Sequence, residues 1–168
     1  KYLKNFHLIR LERENSFALL GQAGAGKTHI ALAIAKALID KSDKVVYMPY
    51  LEAIKELKAL AMYQEDYERT ISRYKNCSVL VIDDLFNDKV RNGELVGRLT
   101  EADLKHIYSI INYRYLNKLI TIVSSECSPE MLLNLDEATA GRVLEMCGPN
   151  QIAIFGDECN YRLRKFME

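Results

Sequence analysis

The segment that most constrains this chain is GQAGAGKTH, residues 21–29, which lies between an apolar run and a helical pattern. It matches the spacing GxxxxGK[ST], in which glycines let backbone N–H groups close around phosphate oxygens. Strand, loop and helix follow one another in the order that such a phosphate-binding loop requires. The segment therefore predicts a nucleoside triphosphate site.

The side chains of this loop have separate expected roles. The loop is expected to bind ATP and ADP, with Lys27 reaching the β- and γ-phosphates of ATP and the Thr28 hydroxyl binding Mg²⁺. The N-terminus of the following helix adds the positive end of its dipole. The residues expected to contact the nucleotide are Gly21, Gln22, Ala23, Gly24, Ala25, Gly26, Lys27, Thr28 and His29.

A second part of the site is indicated by the apolar segment VLVIDD, residues 79–84. A strand that ends in a carboxylate places Asp83 beside Mg²⁺, usually through water. Asp84 is the candidate general base that polarises the attacking water. Two turn-forming aspartates at the end of a strand are the alternative, and the upstream loop favours the functional interpretation.

Strand-like and helical patterns alternate along the chain, which predicts an α/β fold. Because the strands are apolar runs, they predict a parallel sheet covered on both faces, with ligands at the carboxyl ends of the strands. Strands are predicted at 16–20, 44–48, 78–83, 119–125 and 151–155, and helices at 28–38, over two stripes between 51 and 74, over 104–115, from Pro129 and from about Arg142.

Length and composition further limit what kind of protein this is. The 168 residues suit one domain, and 23 basic residues balance 23 acidic ones, so nucleic-acid binding requires a local patch. No apolar run approaches the roughly 20 residues of a membrane span. The scattered cysteines favour reduced thiols in a cytoplasmic protein. The first residue, Lys1, leads us to expect a fragment of a longer protein.

Together these segments resemble the AAA+ ATPase domain of the DnaC/DnaI-type replicative helicase loaders, especially the phage and prophage branch. The resemblance extends from about Tyr2 to the end of the chain. The aspartate pair, the SSE…LDEA..GR..EM block and the terminal NYR are together far more specific than the phosphate loop. The segments that carry it are NSFALLGQAGAGKTHIALAIAKAL, VLVIDDLF, IINYRY, TIVSSECSPEMLLNLDEATAGRVLEM and NYRLRKF.

The resemblance implies a P-loop NTPase of AAA+ type, with sheet order 5-1-4-3-2 and a reduced or absent C-terminal lid. It implies that Arg142 is an arginine finger acting in trans, and that Arg162 is the sensor-2 arginine. Sensor 1, often asparagine in relatives, falls at Ser125-Glu126. The family's usual catalytic Asp-Glu pair is Asp-Asp here, which predicts slow hydrolysis or a need for close assembly.

The resemblance also implies partners. The family binds a replicative ring helicase through an N-terminal region, which we expect to lie outside this fragment, and it assembles as a homo-oligomer on ATP and single-stranded DNA within the primosome. Family members contact the DNA through the helical segment between the second and third strands. Here that segment carries Lys55, Lys58, Arg69, Arg73 and Lys75 with Tyr63, Tyr67 and Tyr74, although a tyrosine stripe at helical spacing favours core packing.

Three other functions stay open at this point. A transposition helper ATPase shares nearly all of these motifs. A small-molecule kinase can have this loop and this length, but the chain shows no arginine-rich lid segment. The third is a nucleotide-gated binding module with negligible turnover.

Overall fold

The computed structural model describes residues 2–41 and 43–156. Five strands form a parallel sheet of order β2-β3-β6-β1-β7, and β4 and β5 form a separate antiparallel hairpin. Counting only the sheet strands in chain order, the sequence from the β7 edge is 5-1-4-3-2, which confirms the predicted order. The strands are β1 (Phe17–Gly21), β2 (Val45–Pro49), β3 (Val79–Asp83), β4 (Val90–Arg91), β5 (Glu94–Leu95), β6 (Ile120–Ser125) and β7 (Ile152–Phe155).

Helices cover both faces of this sheet. One apolar core lies between the sheet and α1 with α2, and a larger core lies between the opposite face and α3 to α7. The helices are α1 (Phe6–Ile9), α2 (Lys27–Ile39), α3 (Tyr50–Ala59), α4 (Gln64–Asn76), α5 (Glu101–Leu116), α6 (Pro129–Leu135) and α7 (Glu137–Cys147). The prediction of a parallel sheet covered on both faces is confirmed.

Strand β3 shows why an uninterrupted apolar run was the right signal. Val79 and Val81 belong to the core beside α2, whereas Leu80 and Ile82 belong to the opposite core. Successive side chains of a strand point to opposite faces, so a strand covered on both sides has no polar face. The same alternation directs Asp83 toward α2, the helix that follows the phosphate loop.

The last helix begins earlier than the sequence analysis predicted. Helix α7 starts at Glu137, and the Asp136 carboxylate accepts a hydrogen bond from the Thr139 backbone N–H at 3.2 Å. The helix predicted from about Arg142 was therefore wrong by one and a half turns. The aspartate was a readable N-cap signal, because its side chain satisfies an N–H of the first turn.

Helix α5 carries the largest fully buried side chain in the described residues, Arg114. Its guanidinium donates to the backbone carbonyls of Tyr74 (2.9 Å), Lys75 (3.0 Å) and Cys77 (2.9 Å), at the end of α4. It also donates to the Ile120 carbonyl at 2.6 Å. Burial lowers the pKa of Arg114 to about 10. Arg114 thus joins the end of α4 to the start of β6.

Three of the four cysteines lie in the described residues. Cys77, Cys127 and Cys147 are buried free thiols. Cys159, Arg162 and the segment expected to form a reduced lid lie outside the described residues. Among the helices that the structure describes, none has both the length and the apolar character needed to cross a membrane.

Candidate nucleotide site

The phosphate loop joins the carboxyl end of β1 to the N-terminus of α2. Gly21, Gly24 and Gly26 all have positive φ, at 102°, 75° and 83°. A Cβ atom on Gly21 would lie 2.4 Å from the carbonyl oxygen of Phe155, which also accepts the Gln22 N–H at 2.9 Å. The loop is therefore held against β7 at a distance that only glycine permits.

Lys27 begins α2 and is 6% exposed. Its Nζ donates to the carbonyl oxygens of Gly21 and Gln22, both at 2.7 Å. The Lys27 ammonium group and the N-terminus of α2 thus lie together at the end of the phosphate loop, and both favour the binding of an anion. Ala25 is buried in the loop, and His29 is exposed on the first turn of α2.

Asp83 is 4% exposed and accepts hydrogen bonds from three hydroxyl groups. Thr28 donates to Oδ1 at 3.1 Å, Tyr47 donates to Oδ2 at 2.6 Å, and Ser124 also contacts Oδ1. Burial and the contact with Asp83 raise the pKa of Tyr47. The structure therefore brings the two predicted Mg²⁺ ligands, Thr28 and Asp83, into direct contact.

The donor set suits Mg²⁺ only together with a nucleotide. No group of three or more His, Cys, Asp or Glu side chains in the described residues could hold a metal ion. Mg²⁺ usually takes one or two protein oxygens and completes its shell with water and substrate phosphates. The Thr28 hydroxyl and the Asp83 carboxylate fit that pattern.

Asp84 follows the last residue of β3 and is exposed. Its backbone has a φ of 59°, in the left-handed region. The Asp84 N–H donates to Ser124 Oγ at 3.0 Å, and Oδ1 accepts from Asn87 Nδ2 at 2.8 Å. The candidate base therefore lies at the carboxyl edge of the sheet, next to the buried Asp83.

The sensor-1 candidate, Ser125, has a different environment. It is fully buried, donates to the Leu85 carbonyl at 2.5 Å and accepts from the Cys127 N–H at 3.1 Å. Its neighbour Ser124 is the serine that contacts Asp83. Ile82 pairs with Val123 in the sheet, so Asp83 comes opposite Ser124. Sequence reasoning missed Ser124, although strand alternation carried the signal. The sensor role of Ser125 stays a prediction.

A cavity of about 540 Å³ lies beside the first half of the phosphate loop. Gly21, Gln22 and Ala23 form one wall, and Glu126 lines the same space. Residues at the tip of the β4–β5 hairpin, Asn92 and Gly93, also line it. The loop after β6 and the hairpin therefore both border the region next to the phosphate loop.

Arg142, the predicted finger, lies in the middle of α7 and is half-buried. Its guanidinium donates to Asn112 Oδ1 at 2.8 Å, to the Tyr108 hydroxyl at 3.1 Å and to the Ala138 carbonyl at 2.7 Å. Within the described part of the chain, these hydrogen bonds all go to α5 and α7. The role in trans stays a prediction, as does that of Arg162.

The segment predicted to contact DNA forms α3, α4 and the tip between them. Tyr74 is buried, and Tyr67 is hydrogen-bonded to His106 Nδ1 at 3.0 Å. Tyr63 is 64% exposed and follows Met62, which is 90% exposed. The tyrosine stripe is therefore largely core packing, with Tyr63 left in solvent. Two of its basic residues form ion pairs, Lys58 with Asp103 and Arg69 with Asp66.

This geometry can be compared with known proteins. Residues 3–132 match the IstB/IS21 family, described as IstB-like ATP binding protein. The chain belongs to this family. The IstB-like chain is 41% identical over 166 residues to the uncharacterized protein YqaM of Bacillus subtilis (strain 168), covering 97% of this chain and 51% of that protein. It is 40% identical over 169 residues to the phage-like element PBSX protein XkdC of the same strain, covering 97% and 60%.

The IstB-like chain thus spans about half the length of the curated relatives it matches, 51% and 60%. Among solved structures, it is similar to a crystal structure of the DnaC helicase loader, with a TM-score of 0.70 and 24% identity. That match covers 92% of this chain and 86% of the loader. The likeness shows a shared fold, and the XkdC match agrees with the expected phage branch.

Proposed function

We propose that this IstB-like domain binds and slowly hydrolyses Mg·ATP and serves as the motor of a replicative helicase loader. The observation that carries the ATPase part is the contact between Thr28, which follows the loop lysine, and Asp83. Asp84 is the next residue along the chain. The residues proposed to bind phosphate, to bind the metal and to activate water therefore lie next to one another at one edge of the sheet.

The proposed roles follow from this arrangement. Lys27 and the N-terminus of α2 bind the β- and γ-phosphates, while Gly21 to His29 enclose them. Thr28 and Asp83 hold Mg²⁺, which neutralises phosphate charge when it is bound. Asp84 accepts a proton from the attacking water. Ser125 and Arg162 are proposed as sensors of the γ-phosphate, and Arg142 is proposed to act on a neighbour's nucleotide.

The loader part rests on similarity. The fold shared with the DnaC helicase loader supports a role in DNA replication, and the phage-like relative agrees with the phage branch of that resemblance. We propose that copies of the domain assemble side by side on single-stranded DNA, with exposed Tyr63 available to stack on a base. A replicative helicase is the proposed partner, bound through a part of the protein outside this chain.

A transposition helper ATPase is the second candidate, because the family is named after IS21 and a relative from Pseudomonas aeruginosa is an insertion sequence IS21 putative ATP-binding protein. The two candidates differ in their protein partner. Affinity capture with the full-length protein distinguishes them, since a loader is expected to retain a ring helicase and a helper to retain a transposase. Membership of this family leaves a small-molecule kinase with little support.

The first prediction concerns ATP-dependent assembly on DNA. In sedimentation velocity, wild-type protein with ATP and single-stranded DNA is expected to form larger particles than with either ligand alone, because nucleotide and assembly favour each other. Lys27→Ala is expected to weaken ATP binding by about 2 kcal/mol, roughly 30-fold, and to lose this response. Lys36→Ala, which changes an exposed residue on the same helix, is the control. Equal binding of duplex and single-stranded DNA would contradict the loader proposal.

The second prediction concerns Arg142. Arg142→Ala and Asp84→Asn proteins are each expected to lack turnover, and their mixture is expected to regain it. With random association, about one interface in four pairs an intact Asp84 with an intact Arg142 of a neighbour. Phosphate release across mixing ratios gives the measurement. Thermal unfolding of Arg142→Ala checks the fold, since this side chain also holds α5. No recovery despite co-assembly would rule out action in trans.

A further inference from the structure

Two loops at the carboxyl edge of the sheet are joined by a series of hydrogen bonds. The first segment, residues 84–87, follows β3. The second segment, residues 124–127, consists of the last two residues of β6 and the two residues after them. Such repeated cross-links fix one loop relative to the other. The bonds run from the Asp84 N–H to Ser124 Oγ (3.0 Å), from the Leu85 N–H to the Ser124 carbonyl (2.9 Å), from Ser125 Oγ to the Leu85 carbonyl (2.5 Å) and from the Glu126 N–H to Asn87 Oδ1 (2.8 Å).

Asn87 contributes both ends of its amide to this arrangement. Its Oδ1 accepts the Glu126 N–H at 2.8 Å, and its Nδ2 donates to Asp84 Oδ1 at 2.8 Å. A backbone N–H can only donate, so the atom that faces Glu126 must be the amide oxygen. The amide group that faces Asp84 is therefore the NH₂ group. The orientation of Asn87 is fixed by chemistry on both sides.

The backbone around Asn87 is equally restricted. The Asn87 N–H donates to the Asp84 carbonyl at 3.1 Å, which closes a tight turn. Within that turn Phe86 has a φ of 60° and is fully buried. Its ring packs edge-to-face with the Tyr50 ring, with the ring centroids 5.2 Å apart. Asn87 is thus held from three directions, by the turn, by the buried ring before it and by the Glu126 backbone.

We propose that Asn87 is a positioning residue for ATP hydrolysis: its amide holds the Asp84 carboxylate against the loop after β6. This inference rests on the proposed role of Asp84 as the base. Of the side-chain rotamers open to an aspartate on such a turn, only some direct an oxygen toward the attacking water. An Nδ2–H donor at a fixed position selects among those rotamers. Asn87 acts through Asp84 and need not touch the nucleotide.

The expected effect is on kcat and not on nucleotide binding. A misplaced catalytic group costs roughly tenfold to a hundredfold in rate. Asn87→Ala removes both hydrogen bonds of the amide. Asn87→Asp keeps an oxygen that accepts the Glu126 N–H, but it replaces the donor to Asp84 with a second carboxylate oxygen. Both variants are expected to lower kcat by roughly tenfold or more, with KM for ATP close to wild type.

The experiment measures steady-state phosphate release by the full chain for wild type, Asn87→Ala, Asn87→Asp and the exposed control Asn76→Ala. It also measures phosphate release for Asp84→Asn and for the double variant with Asn87→Ala. Each single variant and Asn87→Ala in the Asp84→Asn background are also followed by thermal unfolding. Asn87→Ala is expected to cause no further loss of turnover in that background, because its effect passes through Asp84.

Normal kcat in Asn87→Asp would overturn the proposal, because it would show that only the bond to the Glu126 backbone matters. An equal additional loss in the Asp84→Asn background would also overturn it. A wild-type chain without ATP turnover would overturn the proposed function and this inference together. Normal wild-type turnover that requires Asp84 but not Asn87 would overturn this inference alone.

Discussion

Replacing Asp84 by asparagine is expected to reduce ATP turnover by about 10²–10⁴-fold, the usual contribution of a general base. Affinity for Mg·ATP is expected to stay near wild type, because the phosphates and Mg²⁺ are assigned to Lys27, Thr28 and Asp83. Asparagine has the same size and tolerates the left-handed backbone of this position. The change therefore removes the proton acceptor without disturbing the turn. Phosphate release and titration with a fluorescent ATP analogue separate the two effects.

Asp88→Asn is the matched control for this prediction. Asp88 is exposed in the same loop and pairs with Lys89. Its replacement removes the same charge four residues further along and is expected to leave turnover unchanged. If Asp84→Asn hydrolyses ATP at the wild-type rate, another group is the base, and Glu126→Gln becomes the next variant to test.

The second large effect is expected for stability. Arg114→Met is expected to lower the free energy of unfolding by about 3–5 kcal/mol, because several buried carbonyl groups lose their hydrogen-bond donor. Methionine fills much of the volume but leaves the carbonyls of Tyr74, Cys77 and Ile120 without their donor. Each buried acceptor without a partner costs about 1–3 kcal/mol, partly offset because the guanidinium is no longer desolvated. Urea unfolding followed by circular dichroism measures the difference.

Arg73→Met provides the control for Arg114. Arg73 is an exposed arginine on α4, the helix whose end Arg114 holds. A surface substitution of this kind is expected to change stability by no more than about 0.5 kcal/mol. A loss below about 1 kcal/mol in Arg114→Met would show that water or nearby hydroxyls replace the guanidinium. The hydrogen-bond network would then have little net effect on stability.

Local patterns in the sequence predicted much of the fold and the residues at the centre of the candidate site. The loop spacing located Lys27 and Thr28, and the apolar run of β3 located Asp83 at its end. These signals are reliable because steric and solvation requirements act within a few neighbouring residues. The strand order followed from the family resemblance, and the structure confirms it.

The features that sequence analysis missed depend on contacts between distant segments. Arginine is usually exposed, so nothing local marks Arg114 as a buried link between α4 and β6. Tyr47 and Asn87 become relevant only when β2 and the loop after β6 lie beside the aspartates. Ser124 was the exception, since alternation along β6 distinguishes it from Ser125. The start of α7 was also readable, from Asp136.

The left-handed turn after β3 also limits how this site can change through evolution. Aspartate and asparagine adopt such a backbone more readily than glutamate does. A single mutation of Asp84 to glutamate would therefore strain the backbone, and this cost would oppose any benefit of the longer side chain. The Ser124 hydroxyl accepts the Asp84 N–H, so the Asp84 backbone can relax only after a second change on another strand. Selection for faster turnover is expected to succeed in libraries that vary both positions together and to fail where either is varied alone.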